Sequence, residues 1–224
     1  MAAWKRALKW TGVLVAIAGV AIAIAAVVFG GESVAYDSPD YRVTSKLGPV
    51  EIREYAPYLV AETKVDGSLE NAGNQGFRIL AKYIFGGNRG SEKIAMTAPV
   101  IQEKAEGTKI AMTTPVTQEK AGDEYTVRFM MPSGLSRETL PEPNDARITF
   151  REVPSQTLAV VRYSGTWSKR NYEKHLEVLY AALRAEGLEP EGEPVWARYN
   201  PPFTPWFMRR NEILSGFQAA APDH

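Results

Sequence analysis

GPVEIREYAPYLVAETKVDGS, residues 48–68, alternates apolar and polar side chains and stops at a glycine–serine step. Val50, Ile52 and Tyr55 lead into Tyr58, Val60 and the Thr63–Val65 stretch, which reads as two strands broken at Ala56-Pro57. Ser68 is a helix N-cap candidate, and Leu69, Gly73, Gly76/Phe77, Leu80 and Ile84 then recur at helical spacing until Gly86-Gly87. ARITFREVPSQTLAVVRYSGTW, residues 146–167, repeats the plan. It alternates, reaches a Gly-Thr step at 165–166, and precedes the stripe Tyr172, Leu176, Leu179, Leu183, closed by Gly187. At an offset of 98 residues Arg53-Glu54 matches Arg151-Glu152, Ala61 matches Ala159 and Gly67 matches Gly165. The shared order of strand, strand, Gly-Ser/Thr, helix, Gly predicts two structurally similar halves in an α+β fold, with helices packed on mostly antiparallel strands.

Between the first helix and the second half lies a near-verbatim repeat. KIAMTAPVIQEKAEGT (93–108) and KIAMTTPVTQEKAGDE (109–124) match at eleven of sixteen positions. Ile94, Met96, Ala98 and Val100 share one parity, as do Ile110, Met112, Thr114 and Val116. With YTVRFMMP (125–132) they predict a three-stranded meander. Pro99 and Pro115 cannot donate to a ladder, so each belongs at an edge or bulge. One copy is expected to extend a hairpin of the other; two ligand sites are not implied.

Composition excludes several chemistries. The chain of 224 residues has no cysteine, so disulfides, thiolate nucleophiles and Cys-ligated metals are out. Its histidines are His175 and His224 alone, which leaves little for a histidine metal centre or a serine–histidine triad. Balanced charge, 26 basic against 26 acidic residues, argues against a nucleic-acid partner. The N-terminus is different. Lys5, Arg6 and Lys9 precede twenty uncharged residues, Trp10–Phe29, enough for a helix of about 30 Å. This predicts a cytoplasmic basic flank (1–9), a transmembrane anchor (10–29) and a linker (30–40), with the rest on the extracytoplasmic side. Ser33-Val34-Ala35 also resembles a small-x-small cleavage site, so release after Ala35 as a secreted form stays open. The main domain is expected over 41–217 and a disordered tail over 218–224.

KIAMTAPV, VRFMMPSGLSRETLPEPND (127–145) and YNPPFTPWFMRRNE (199–212) together resemble the SOUL/haem-binding protein family over roughly residues 36–214. The resemblance implies a distorted antiparallel β-barrel flanked by two helices, with pseudo-two-fold duplication. It implies a monomer that binds haem or a related tetrapyrrole in an exposed apolar groove, without a dedicated axial ligand and without catalysis. Alternatives of other classes are a binding or scaffold domain for another small amphipathic ligand, and a hydrolase on the same fold. The groove of relatives lies along the first helix and the Pro-rich C-terminal loop. Carried over, its candidates are Phe77, Arg78, Leu80, Ala81 and Lys82 on the helix and Tyr199, Phe203 and Trp206 in the loop. Arg78 and Lys82, four apart, share a helix side. They are either partners for propionates or a solvated edge. The loop aromatics are either a ligand wall or the packing of a tail. Some relatives carry lysine where Thr204 stands, a departure that removes one propionate partner. His175 is expected at an exposed or core-edge position, Met96 and Met112 in packing, and Arg209-Arg210 with Glu212 in a structural salt-bridge and capping element.

Overall fold

The computed structural model describes residues 38–89, 107–201 and 203–220. Within them the chain forms β1 (Tyr41–Leu47), β2 (Val50–Tyr55), β3 (Tyr58–Asp66), α1 (Leu69–Ile84), β4 (Asn88–Arg89), β5 (Val116–Ala121), β6 (Glu124–Met130), β7 (Glu142–Pro143), β8 (Thr149–Val153), β9 (Gln156–Tyr163), α2 (Lys169–Ala185), β10 (Leu188–Arg198), a 3₁₀ turn at Trp206–Met208, and β11 (Asn211–Ala219). Nine strands form one antiparallel sheet in the order β1-β2-β9-β11-β10-β5-β6-β3-β8, and β4 pairs with β7 beside it.

Set β1 aside and this order is palindromic. Exchanging β2 with β8, β3 with β9, β5 with β10 and β6 with β11 returns the same sheet read backwards. The two expected halves are therefore present, related by a pseudo-two-fold axis at the seam where β10 pairs with β5. The first helix begins at the expected Ser68, and the second two residues after the Gly-Thr step, at Ser168. Gly67 and Gly165 hold φ of 120° and 118°, a region that disfavours any residue with a Cβ. Ser68 Oγ then accepts the Asn71 amide at 3.4 Å, and Ser168 Oγ accepts that of Asn171 at 3.3 Å.

Each helix covers its own core. Ala72, Ile79, Leu80, Tyr83 and Ile84 of α1 pack on Ala61, Val65, Val127 and Phe129 of β3 and β6. Tyr172, Leu179 and Leu183 of α2 pack on Val50, Ile52, Ala159, Val161, Trp196 and Ile213. α1 lies very close to the sheet. A Cβ at Gly76 would come within 2.5 Å of Val127 Cβ, so this glycine is the contact point. The opposite sheet face carries ion pairs: Arg128 and Arg151 on Glu62, and Arg53 and Arg210 on Glu212.

Two sequence expectations change, and others fall outside the described residues. The sheet is open rather than a closed barrel: among the described residues β1 pairs only with β2 and β8 only with β3. Of the expected meander, the described residues contain the hairpin β5–β6, turning at Gly122-Asp123, with its strand on the second copy shorter than the alternation implied. Its first strand begins at Val116, directly after Pro115, which lacks the amide that a longer ladder would need. The first repeat copy, with Met96 and Pro99, lies outside the described residues. So do the candidate anchor 10–29 and the cleavage site at Ala35. Among the described residues no helix is long and apolar enough to cross a membrane.

Candidate functional site

Two adjoining depressions open between α1, the start of β5 and the end of β10. One, of about 310 Å³, is bounded by Gly73, Asn74, Phe77 and Arg78 of α1 and by Trp167. The other, of about 220 Å³, is bounded by Met112, Thr113, Phe129, Tyr199 and Phe203. Phe77, Val116, Arg198 and Asn200 line both and join them into one groove. Together they reach the range of small-molecule sites, about 300–1,000 Å³.

The groove brings some of the predicted residues together and leaves others out. Phe77 stands at its centre, its ring 5.4 Å from that of Phe129. Arg78 is exposed on the rim. Tyr199 and Phe203 form the wall on the loop side, Phe203 being 87% exposed. Leu80 and Ala81 instead face the core under α1, because the stripe they share with Gly76 and Ile84 is the one that meets the sheet. Lys82 is exposed but lines neither depression, being about 6 Å further along the helix axis than Arg78. Trp206 lies outside the groove as well, with its ring edge-on to Phe207. Met112 both packs on the α1 core and lines the groove. His175 is half-buried on α2, stacked on Tyr163 at 4.1 Å, with Nδ1 2.8 Å from the Asn171 carbonyl oxygen.

A charged network holds the loop wall. Glu212 is completely buried and accepts from Tyr199 Oη at 2.6 Å, Arg53 Nη1 at 3.0 Å, and Arg210 Nε and Nη2 at 3.1 and 2.8 Å. Burial alone would lower the Arg53 pKa, but the Glu212 carboxylate raises it above the ordinary arginine value. Burial, and then the same carboxylate, push the Tyr199 hydroxyl well above its usual range, so it stays a donor. Arg210 N donates to Asn200 Oδ1 at 2.6 Å, and Arg209 Nε donates to the Thr204 carbonyl at 2.8 Å, which ties down the Pro-rich loop. The Arg209-Arg210–Glu212 group is thus structural, as expected.

Arg198 is the residue that sequence reasoning missed. It is only 8% exposed, yet its Nε and Nη2 are buried without a hydrogen-bond partner. No ion pair reaches it among the described residues. Its guanidinium lies 4.1 Å from the Trp196 ring centre and 5.1 Å from that of Trp167, against the backbone of Gly73. Burial lowers its pKa to about 10, which still leaves it charged at neutral pH. The available signal was parity: Trp196 and Arg198 share the inward side of β10, an unusual place for a charge.

Larger depressions exist but mix acids with bases. One of about 460 Å³ carries Glu62, Asp66 and Glu124 with Lys64 and Arg147; one of about 430 Å³ carries Glu70, Glu173 and Glu193 with Lys120 and Lys169; one of about 350 Å³ carries Asp40 and Glu152 with Arg137. Among the described residues no acidic side chain lines the groove under α1.

The chain is similar to heme-binding protein 2 of Mus musculus, with 26% identity over 197 residues, covering 82% of this chain and 91% of that protein. Heme-binding protein 1 of Xenopus laevis is 27% identical over 164 residues, covering 73% and 80%. The EcmrR C-terminal domain shares the fold at a TM-score of 0.52 and 11% identity, over 80% of this chain and 99% of that one. A structure described as a hydrolase from Listeria innocua does so at 0.51 and 9%, over 78% and 94%. The model of the SOUL heme-binding protein family matches residues 36–215, and the chain belongs to that family.

Proposed function

We propose that this chain binds haem or a related tetrapyrrole, without catalysis, in the groove between α1 and the C-terminal loop. The observation that carries the reading is an apolar, aromatic groove with, among the described residues, a buried cation in no ion pair and no lining carboxylate. A tetrapyrrole is a flat apolar ring edged by carboxylates. Phe77, Phe129, Tyr199 and Phe203 suit the ring, and Arg198 and Arg78 suit the edge. The bound group would supply its own redox and spectroscopic properties; the chain's residues hold and orient it. Two of the three hydroxyls at the groove are committed elsewhere, Thr113 donating to the Met130 carbonyl and Tyr199 to Glu212; the third belongs to Thr114. Without a lining Asp, Glu or His there is no general base among the described residues there, which supports binding over hydrolysis. Residues 10–29 are proposed as a membrane anchor, with the domain on the extracytoplasmic side, from the basic flank and the uncharged run.

The test is absorbance titration with haemin of the full-length chain in lipid nanodiscs, with empty nanodiscs subtracted. A Soret shift saturating at one equivalent is expected. Phe203→Glu, which sets a carboxylate at the groove mouth, is expected to weaken binding about ten-fold or more, and Trp206→Glu to leave it unchanged. A linear, unsaturated rise, or equal effects of the two substitutions, overturns the reading.

A further inference from the structure

We infer that Arg198 is the anchor for a carboxylate of the groove's ligand, and so makes the site selective for amphipathic anions. The inference rests on the binding role proposed for the groove. Charged side chains are almost never buried without a counter-ion, since the charge has lost its water and gained nothing in exchange. Elsewhere in this protein the buried arginine is satisfied. Arg53 has Glu212 and Glu51, and Arg128, half-buried, has Glu62 and Glu119. Among the described residues Arg198 has no ion-pair partner, Glu70 acting on it only from beyond contact distance, and it lines both parts of the groove. Gln118 Oε1, a neutral acceptor packed against the same Gly73, is itself without a partner. Gly73 lets the guanidinium lie against α1, since a Cβ there would come within 2.9 Å of Nη1 and Nη2. Trp196 and Trp167 hold the cation by their ring faces. An aromatic clamp keeps the guanidinium in place without using its N–H groups, which leaves those donors for an incoming carboxylate.

The experiment titrates the full-length chain in nanodiscs with mesoporphyrin IX and with its dimethyl ester. Quenching of tryptophan fluorescence is followed, because Trp167 and Trp196 flank the cation. Wild type is expected to bind the diacid about ten- to a hundred-fold more tightly than the ester. Arg198→Met is expected to bind both with ester-like affinity. Without ligand it is expected to melt at or above the wild-type temperature, because it removes an uncompensated buried charge. Arg198→Lys, which keeps the charge but not the fork, is expected to recover part of the preference. Equal wild-type affinity for diacid and ester overturns the inference. So does a preference that survives Arg198→Met, or a Met variant that melts clearly lower, which would make Arg198 a structural residue. A third probe, dodecanoate, separates the two readings. If neither porphyrin saturates but dodecanoate binds wild type and not Arg198→Met, the carboxylate anchor stands and the tetrapyrrole reading falls. If porphyrins saturate and Arg198→Met behaves as wild type, the tetrapyrrole reading stands and the anchor falls. If none of the three binds, both fall.

Discussion

Replacing Glu212 by glutamine should be among the most damaging isosteric changes in the domain. The carboxylate is completely buried and accepts four hydrogen bonds, from Arg53, Tyr199 and, twice, Arg210. Glutamine keeps one acceptor and turns an NH₂ toward Arg210, or toward Arg53 and Tyr199; the arginines can only donate, and the Tyr199 hydroxyl would have to rotate to accept. The two arginines fare differently. Arg210 is partly exposed and can be hydrated; Arg53 is 3% exposed and cannot, though it keeps Glu51 at 2.8 Å. Removing one partner of a buried pair costs about 3–5 kcal/mol, and the surviving Glu51 contact puts the expected loss near about 3 kcal/mol. With a urea m-value of roughly 1–3 kcal/mol per molar, the midpoint should fall by about 1–3 M. Circular dichroism and tryptophan fluorescence, fitted with a common m-value, measure it. Arg53→Met combined with Glu212→Leu should be more stable than Glu212→Gln alone, since both charges are gone. A loss below about 1 kcal/mol, or a double variant no better than the single one, would refute the claim that an uncompensated charge sets the cost.

Gly76→Ala gains about 1 kcal/mol of helix propensity but drives a methyl against Val127, so it should lower stability by a net ~1–2 kcal/mol on chemical denaturation. Arg78→Ala should weaken porphyrin binding about two- to five-fold, with the loss shrinking at high salt, while Lys82→Ala should change it less than about two-fold. Stability should fall at both ends of the pH scale. Burial would raise the Glu62 pKa, but hydrogen bonds from Arg128 and Arg151 hold it below the ordinary value. Its contribution is therefore present above about pH 4.3 and is lost as pH falls through the folded value, and Glu62→Gln should flatten that limb of a urea-midpoint profile. Burial raises the Tyr55 pKa from 10.0 to about 12, so its contribution is complete below pH 10 and disappears as pH rises toward 12; Tyr55→Phe should reduce that loss. Protease added to intact spheroplasts should digest the domain; digestion only after lysis would reverse the proposed topology.

Much of this fold was legible because duplication writes the same instructions twice. β3 starts at Tyr58 and β9 at Gln156, keeping the offset seen in the raw sequence. The helices drift by two residues: Thr166 occupies the place of Ser68, yet Ser168 caps α2. Local chemistry was readable there, since capping and left-handed glycine concern a few neighbouring residues. What failed was tertiary. The strand pattern around Ile110 and Met112 looked continuous, but the ladder starts only after Pro115. Arg78 and Lys82 share a helix side, but only Arg78 reaches the end of β10. Arg198 was passed over because alternation identifies a strand without saying which carboxylates will be near it.

The seam between the halves has a consequence in time. β5 is complete at Ala121, but its partner β10 ends at Arg198, and synthesis at ~5–20 residues per second separates them by on the order of ten seconds. From Met130 onward a nascent chain holds both strands of the hairpin β5–β6 and the helix above it, and one row of β5 amides and carbonyls has nothing of its own to pair with. Because β5 and β10 are equivalent strands, that open edge also fits the same edge of another nascent copy, as two-fold contacts do. Glu119 and Lys120 sit along this edge, and their charge discourages early pairing between copies until the chain's own second half arrives.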